Sequence, residues 1–590
     1  MKKRVADIVV ETLVGLNIRE CFCVVGGGAM HLNNAFEINS EMNITFCHHE
    51  QACAFAAEGY AKYSGKIAVV SVTSGPGCVN TLNGVYSAWV DSTPMIVIAG
   101  HPRYDTTVEA CGLNLRCRGV QEYNIISSVK EMTKYAVMVK EPKEIQKEIT
   151  KAYQIAMEGR RGPVWISIPL DVQAAVVEIE DVCMNEDLYE VTEKPDFSNI
   201  IQRIRNAKRP CILTGAGLRY ADAMSEFLEF TKSFKIPIVG GALLSDTLPE
   251  GFPLFYGLSG NIGPRAGNYI LQNADLILVL GNSLSTRQTG FNIEGFAPNA
   301  YFIMVDAERD ESQKPGLHID MPICMDLKKF LNQVCNQVQG EVVAEQKWIK
   351  YCKEIYEFFE GYDDAEYELE DRIPVRYFWK RFREYLPEDA LVALGNSNGV
   401  IPIFQYGIKK MGQRVITNYN AGSMGYDLPE AVGVAVASGR PVYCVTGDGS
   451  VMMNLQELET ITYNKLPIKV VIFSNDGYGA IRQTCKNYFN GVYTGCDAHS
   501  GVDFPDFEAI AKAFGFSYMH CGTCRELDKK IEQFLQEKDR VIMVVEQKLD
   551  DPILPKLMSR LKEDGTFEDP SFTDMFPYLS DDEVVQMPKL

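Results

Sequence analysis

The chain has 590 residues, 46% of them hydrophobic and 23% charged, with a formal net charge of −20. That length calls for three or four domains, because single cores stop growing beyond about 250–300 residues. The acid excess, with no basic stripe to offset it, argues against nucleic acid and anionic membranes as partners, and no apolar run is long enough for a transmembrane helix.

The start, Met1-Lys2-Lys3-Arg4, is basic, but Asp7 and Glu11 interrupt the apolar residues that follow. This reads as an amphipathic first helix, not a signal peptide. Residues 1–182 then alternate apolar strands, clearest at 21–25, 44–47, 67–72, 95–99 and 164–168, with helices expected at 51–64 and 79–89. The polar, acidic stretch 178–195 reads as a linker. A second block, 190–340, carries strands at 211–214, 236–240, 276–280 and 301–305, and residues 341–371 read as a connecting helical segment. A third block, 365–550, shows strands at 390–394, 442–445 and 468–473. Residues 551–590, with Pro552, Pro555, Pro570 and Pro577, read as an extended tail over the body. The expected fold class is α/β, with three Rossmann-like, doubly wound parallel-sheet domains. Seventeen scattered cysteines fit a reducing, cytoplasmic setting, and Cys521 and Cys524 read as incidental thiols, since no second pair completes a zinc site.

The most informative stretch is 447–475. Gly447-Asp448-Gly449 ends one buried strand and Asn475 ends the next; between them Leu455, Leu458, Ile461 and Thr462 recur at helical spacing. Oxygen ligands thus stand at the carboxyl ends of neighbouring strands, where doubly wound sheets bind ligands. A carboxylate, a side-chain amide and a main-chain carbonyl suit Mg²⁺ beside a diphosphate, and Gly447 and Gly449 let backbone approach phosphate closely. Alone, Gly-Asp-Gly is equally an ordinary strand-to-helix turn.

The segment resembles the diphosphate-binding motif of thiamine-diphosphate enzymes, in which Gly-Asp-Gly is followed by an Asn pair, here Ser474-Asn475. The resemblance implies Asp448 and Asn475 as Mg²⁺ ligands, with the Gly477 carbonyl as the third. It extends to Glu50 in His48-His49-Glu50-Gln51, to the Ala-Ala-Glu-Gly-Tyr-Ala run at 56–61 and to Ser-Gly-Pro-Gly at 74–77. Read alone, Glu50 is an acid favoured at a helix start; the resemblance makes it the carboxyl that hydrogen-bonds the pyrimidine ring of the cofactor. Pro76 and Asn80 are implied pyrimidine contacts. Gly28, in Gly26-Gly27-Gly28, is implied near bound substrate, and Gln121 near the reacting carbon. In the third block the implied cofactor contacts are Ser397 and Asn398, Gly422 and Met424 of a Gly-x-Met-Gly run, then Gly447, Gly449 and Ser450, and Gly479, Ala480 and Ile481 at a helix start. The domain order implied is pyrimidine-binding (1–182), central (190–340) and diphosphate-binding (365–550). Active sites would lie between subunits of a homodimer or homotetramer.

The likeness is greatest to the acetohydroxyacid synthase (acetolactate synthase) and pyruvate oxidase group. It implies decarboxylation of a 2-ketoacid such as pyruvate and transfer of the two-carbon unit to a second carbonyl. Two departures stand out. The family's Met-Val-x-Gln-Trp after the glycine is Ala480-Ile481-Arg482-Gln483-Thr484 here, and the Phe before the glutamine is Val120. Both open space for the acceptor, which points to a carbonyl other than pyruvate or 2-ketobutyrate, such as a sugar-like one. Arg482 then either holds that acceptor or lies on the surface. Gly215-Ala216-Gly217, Gly260-Asn261 and the run 287–290 resemble segments that face FAD, which a central domain of this kind either binds or has lost. A decarboxylase, lyase or hydrolase using the same cofactor remains an alternative. So does a non-catalytic homologue, against which the presence of Glu50, Asp448 and Asn475 speaks.

Overall fold

The computed structural model describes residues 2–178, 195–241, 244–363, 371–396, 398–562 and 564–590. Nearly all of the expected linker at 178–195, and Ser397, lie outside them. Among the described residues no helix is long and apolar enough to cross a membrane.

The chain is α/β, with three six-stranded, wholly parallel sheets in sequence, and helices cover the faces. The first contains β1 (Glu20–Cys23), β2 (Asn43–Phe46), β3 (Val69–Val72), β4 (Met95–His101), β5 (Tyr135–Met138) and β6 (Pro163–Pro169), in the order β2-β1-β3-β4-β6-β5. The central sheet contains β7 (Pro210–Thr214), β8 (Ile238–Gly240), β9 (Phe255–Leu258), β10 (Leu276–Leu280), β11 (Tyr301–Asp306) and β12 (Met321–Cys324), in the order β9-β8-β7-β10-β11-β12. The third contains β13 (Leu391–Leu394), β14 (Arg414–Thr417), β15 (Val442–Gly447), β16 (Ile468–Ser474), β17 (Ser517–Cys521) and β18 (Val541–Glu546), in the order β14-β13-β15-β16-β18-β17. The outer sheets therefore share one topology and the central sheet has the dinucleotide-fold order. Each has a switch point where the chain turns to build the sheet in the other direction, β1/β3, β7/β10 and β13/β15, and a crevice opens there at the carboxyl ends of the strands.

Central strands such as β4 and β6 are buried on both faces, hence their continuous apolar runs. The strand expected over 236–240 is split. Pro237 has no amide to give a ladder, so of the expected residues only Ile238–Gly240 enters the sheet, and Phe234–Lys235 before them pairs with Val342–Val343 in a separate ribbon. The single helix expected between β15 and β16 is two short ones, Asp448–Val451 and Glu457–Tyr463. The first helix, Val5–Gly15, follows a short strand, Lys2–Arg4, that pairs antiparallel with Val176–Glu178.

The first and third sheets pack through α1 (Glu50–Ser64) and α3 (Asp427–Ser438), and one apolar core runs through both. The helices approach backbone to backbone: a Cβ on Gly433 would stand 1.9 Å from the Ala56 carbonyl oxygen, and one on Gly59 would stand 2.5 Å from that of Glu430. The C-terminal tail is strapped to the central domain. Phe572 packs edge-on against Phe296, Leu557 donates its amide to the Asn261 carbonyl at 2.8 Å, and Asn268 Nδ2 donates to the Phe572 carbonyl at 3.3 Å.

Candidate active site

The crevice of the third sheet holds the Gly-Asp-Gly stretch. Asp448 follows the last residue of β15 and is buried. Its Oδ1 accepts from the Gly449 amide at 2.8 Å; Oδ2 accepts from the amides of Asn475 at 2.9 Å and Gly477 at 3.4 Å. Burial pushes this carboxyl up and the three amides pull it down, leaving it at about 6. No lysine or arginine pairs with it among the described residues.

Asn475, at the end of β16, donates Nδ2 to Gln547 Oε1 at 3.1 Å, while its buried Oδ1 has no partner. Such an orphan is rare and asks for a ligand. The chain then turns through Asp476 (φ 57°) and Gly477 (φ 150°). Only glycine serves at 477, because a Cβ would meet the Cys496 carbonyl oxygen at 2.0 Å. The Gly477 carbonyl accepts no hydrogen bond among the described residues. A buried carboxylate, an orphaned amide oxygen and a free carbonyl on one turn form a donor set that fits Mg²⁺, which takes oxygen ligands.

Arg482 is neither at the surface nor aimed at an acceptor. It is buried, and its guanidinium donates to the carbonyls of Asn475 at 2.6 Å, Asp476 at 3.2 Å and Leu549 at 3.2 Å. The reason is its place in the first turn of α4 (Gly479–Tyr488), on the face that packs against the turn before it. At the start of α4 the amides of Gly479 and Ala480 have no partner among the described residues, whereas that of Ile481 donates to the Tyr478 carbonyl at 3.0 Å. Two donors at a helix start remain for an anion.

Two other expected contacts are engaged inside the fold. Ser450 gives its one donor to Asp427 Oδ2 at 2.6 Å and accepts from the Gly425 amide at 3.0 Å, so it props the 422–425 loop from beneath. The space beside Gly449 is filled by the ring of Tyr478, whose Cε1 would lie 2.2 Å from a Cβ there. Gly422 (φ 62°) already accepts at its carbonyl from Asn396 Nδ2, which leaves one lone pair. Met424 is half-buried beside it. Asn398 approaches Gly479, its Nδ2 3.5 Å from where a Cβ of Gly479 would lie.

The crevice of the first sheet gathers the other candidates. Glu50 opens α1, and its Oε2 accepts from Asn80 Nδ2 at 3.0 Å. Asn80 lies one turn into α2 (Pro76–Val90), which Pro76 starts with its fixed φ. Gly77 admits the carboxylate, since its Cβ would be 3.2 Å from Glu50 Oε1. Gln121, at φ 56°, lays its carbonyl against Gly75, and Val120 beside it is 85% exposed. Gly28 is buried: its amide donates to Thr73 Oγ1 at 3.0 Å and its carbonyl accepts from Gln173 Nε2 at 2.9 Å, so Gly27 is the exposed glycine of the three.

The two crevices are linked within one chain. Ser423 Oγ donates to Asn83 Oδ1 at 3.0 Å, and Asn454 Nδ2 bridges Gln51 Oε1 (3.0 Å) and the Gly425 carbonyl (2.7 Å). The residues that sequence reasoning missed, Asp427, Asn454 and Gln547, act through hydrogen bonds to other loops and carry no motif of their own. Cys521 and Cys524 are buried, and burial pushes the Cys521 thiol up to about 12. Among the described residues no cluster of three or more His, Cys, Asp or Glu side chains could hold a metal.

A cavity of about 710 Å³ opens at the central switch point, lined by Gly215-Ala216-Gly217, Asn282, Gln288 and Asp306. Its size suits a cofactor. Gly260-Asn261 and Gly290 do not face it. The tail covers them through Leu557, whose amide donates to the Asn261 carbonyl and whose Cδ1 lies 2.9 Å from where a Cβ of Gly290 would stand. Arg287 stacks on Tyr419 at 4.1 Å. Of the segments expected to face FAD, Gly215-Ala216-Gly217 and Gln288 line this cavity, whereas Gly260-Asn261 and Gly290 are covered by the chain's own tail.

Three family models match in order: thiamine pyrophosphate enzyme, N-terminal TPP binding domain, over residues 3–124; its central domain over 197–334; and its C-terminal TPP binding domain over 394–546. The chain is 29% identical over 567 residues to the acetolactate synthase large subunit of Lactococcus lactis subsp. lactis, covering 95% of each chain. It is 29% identical to the acetolactate synthase isozyme 2 large subunit of Escherichia coli, covering 90% of this chain and 93% of that one. It is 27% identical to a probable acetolactate synthase large subunit of Methanocaldococcus jannaschii, covering 91% of each.

Proposed function

This chain belongs to the thiamine-diphosphate-dependent enzymes of the acetolactate synthase group, and on that premise we propose that it decarboxylates a 2-ketoacid, pyruvate, and transfers the two-carbon unit to a second, bulkier carbonyl compound of sugar-like type. It is thus read as a transferase that makes carbon–carbon bonds, with Mg²⁺ as its metal.

Bound thiamine diphosphate supplies a nucleophilic carbon and an electron sink for decarboxylation. The chain's own residues hold and serve it. Asp448 Oδ, Asn475 Oδ1, which has no partner of its own, and the Gly477 carbonyl would hold Mg²⁺. The amides of Gly479 and Ala480 donate to the diphosphate. Met424 props the ring system from the third sheet. Glu50, steadied by Asn80, keeps a proton at the pyrimidine ring nitrogen. Gln121 lies against Gly75, beside the Pro76 that starts α2, where it orients bound substrate.

The observation that carries the choice of acceptor is Thr484. Where the family places a tryptophan, this side chain is short, and its hydroxyl folds back on the Ala480 carbonyl at 3.1 Å. Together with the exposed Val120 it leaves room for a larger carbonyl. Subunit pairing is proposed as well, a homodimer or a homotetramer. Met30, Phe46, Val79, Tyr86 and Met453 are exposed apolar side chains close in sequence to the two half-sites, and a second copy would cover them. A cytoplasmic setting accords with the free thiols of every described cysteine. FAD takes no part in the proposed chemistry.

The test is product analysis with pyruvate, with and without added hydroxyaldehydes and ketoses. A new carbon–carbon product that depends on the added carbonyl supports the proposal. Acetolactate as the sole efficient product contradicts it, and acetaldehyde alone indicates a decarboxylase.

A further inference from the structure

The 475–477 turn offers several oxygens that a small cation could take, and an amide nitrogen that it could not. Asn475 can present either its amide oxygen or its amide nitrogen, and only the oxygen can ligate. Three successive carbonyls, of Asn475, Asp476 and Gly477, compete for one position. Two side chains remote from the site resolve both ambiguities. Gln547 is 2% exposed and stands one residue past β18; its Oε1 accepts from Asn475 Nδ2 at 3.1 Å, which fixes the amide with Oδ1 unpartnered. Its own backbone is anchored, the amide donating to the Ser474 carbonyl at 2.9 Å and the carbonyl accepting from Arg372 Nη1 at 3.1 Å. Arg482 takes the carbonyls of Asn475 and Asp476, and also that of Leu549, so the Gly477 carbonyl is the one left free.

We propose that Gln547 and Arg482 are positioning residues that select which oxygens of the 475–477 turn face the metal: Gln547 by locking the amide of Asn475, Arg482 by occupying the two competing carbonyls. The proposal rests on the reading of this turn as a metal site. Neither residue touches the metal. Outer partners that orient a ligand in this way are typically worth about 10–100-fold in metal affinity. Both residues also tie the turn to the 547–549 segment, so the end of the third sheet is part of the metal site.

The test is titration of the full-length protein with Mn²⁺ in the presence of thiamine diphosphate, followed by electron paramagnetic resonance. Gln547→Leu removes the acceptor and should weaken Mn²⁺ by about 10–100-fold; Gln547→Glu keeps an acceptor for Asn475 Nδ2 and should bind close to wild type. Arg482→Met frees the two carbonyls and should weaken Mn²⁺ and broaden its spectrum. Thermal melting of the cofactor-free variants reports folding. If Gln547→Leu does not fold, Gln547→Glu alone still decides, because wild-type-like binding supports the proposal and loss of binding overturns it. Unaltered affinity in folded Gln547→Leu overturns the role of Gln547, and an unaltered affinity and spectrum in Arg482→Met overturn that of Arg482. A wild-type protein that binds no Mn²⁺ with thiamine diphosphate overturns the metal-site reading itself.

Discussion

Thr484 shows how much rests on one side chain. The residues proposed to hold the cofactor resemble the family's motifs, but its tryptophan is absent, and the hydroxyl that stands there bonds within its own helix. Thr484→Trp should therefore narrow the acceptor pocket. In competition between pyruvate and a bulky hydroxyaldehyde as acceptors, the product ratio should shift toward acetolactate by at least about tenfold, the scale on which pocket fit discriminates. An unshifted ratio, read by mass spectrometry, would remove Thr484 from the acceptor site. Residues at this scale stand out in the sequence when the chemistry lies in the side chain and a short motif surrounds it: glycines beside Asp448 and Asn475, and the His-His-Glu-Gln run at Glu50. Gln547 was not legible, because its role exists only through Asn475, 72 residues earlier in sequence. Arg482 was misjudged for a related reason: its helix position shows, but the loop carbonyls it reaches do not.

Among the elements, the pairing of α1 with α3 decides how the two cofactor-facing sheets stand together. Its closeness depends on Gly433, where the obstacle to any side chain is the Ala56 carbonyl, a piece of backbone that cannot swing aside. Gly433→Ala should lower stability by about 1–3 kcal/mol, measured by chemical denaturation, and should weaken cofactor binding with it. A variant as stable as wild type would mean that the helices can part freely. Beside this contact Lys62 is buried with Glu58 at 2.7 Å and Asp91 at 2.6 Å. Burial pushes Glu58 up to about 7 even though Lys62 pulls it down. Lys62→Met strands both carboxylates and should cost about 3–5 kcal/mol at neutral pH, again read from denaturation. Central strands were legible from continuous apolar runs. Of the six strands left unnamed, β5, β9, β12, β14 and β17 are sheet edges, and β18 is an interior strand that the sequence reading passed over. The edge strands face solvent along one side, so composition marks them less.

All three domains meet at Asp246. This buried carboxylate of the central domain accepts from Arg414 Nε of β14 at 2.7 Å and lies 3.6 Å from Arg219, while Arg414 also donates to the Lys62 carbonyl of α1 at 3.3 Å. Burial alone would raise the Asp246 carboxyl, but the charges of Arg219 and Arg414 outweigh it and hold it below the ordinary range. A lowered carboxyl stabilises fully above its unfolded value, about 3.9, and loses that contribution as pH falls through its lower folded value. The stability gap between wild type and Asp246→Asn should thus be constant near neutrality and shrink below pH about 4, as followed by denaturation across pH. A gap independent of pH would mean that the ion pairs do not contribute. Three parallel sheets were legible as three blocks of alternating strand and helix. Their mutual placement was not, because it rests on buried charges and glycine contacts between segments far apart in sequence.

The claim on which the rest depends is that Glu50 of the first sheet and the Asp448–Asn475 turn of the third serve one thiamine diphosphate. Hydrogen–deuterium exchange at the C2 carbon of the bound cofactor, measured by nuclear magnetic resonance with Mg²⁺, tests it directly. The expected result is rapid exchange in wild type and exchange slowed by about 10²-fold or more in Glu50→Gln, with cofactor binding retained. Equal exchange rates in the two proteins would contradict it.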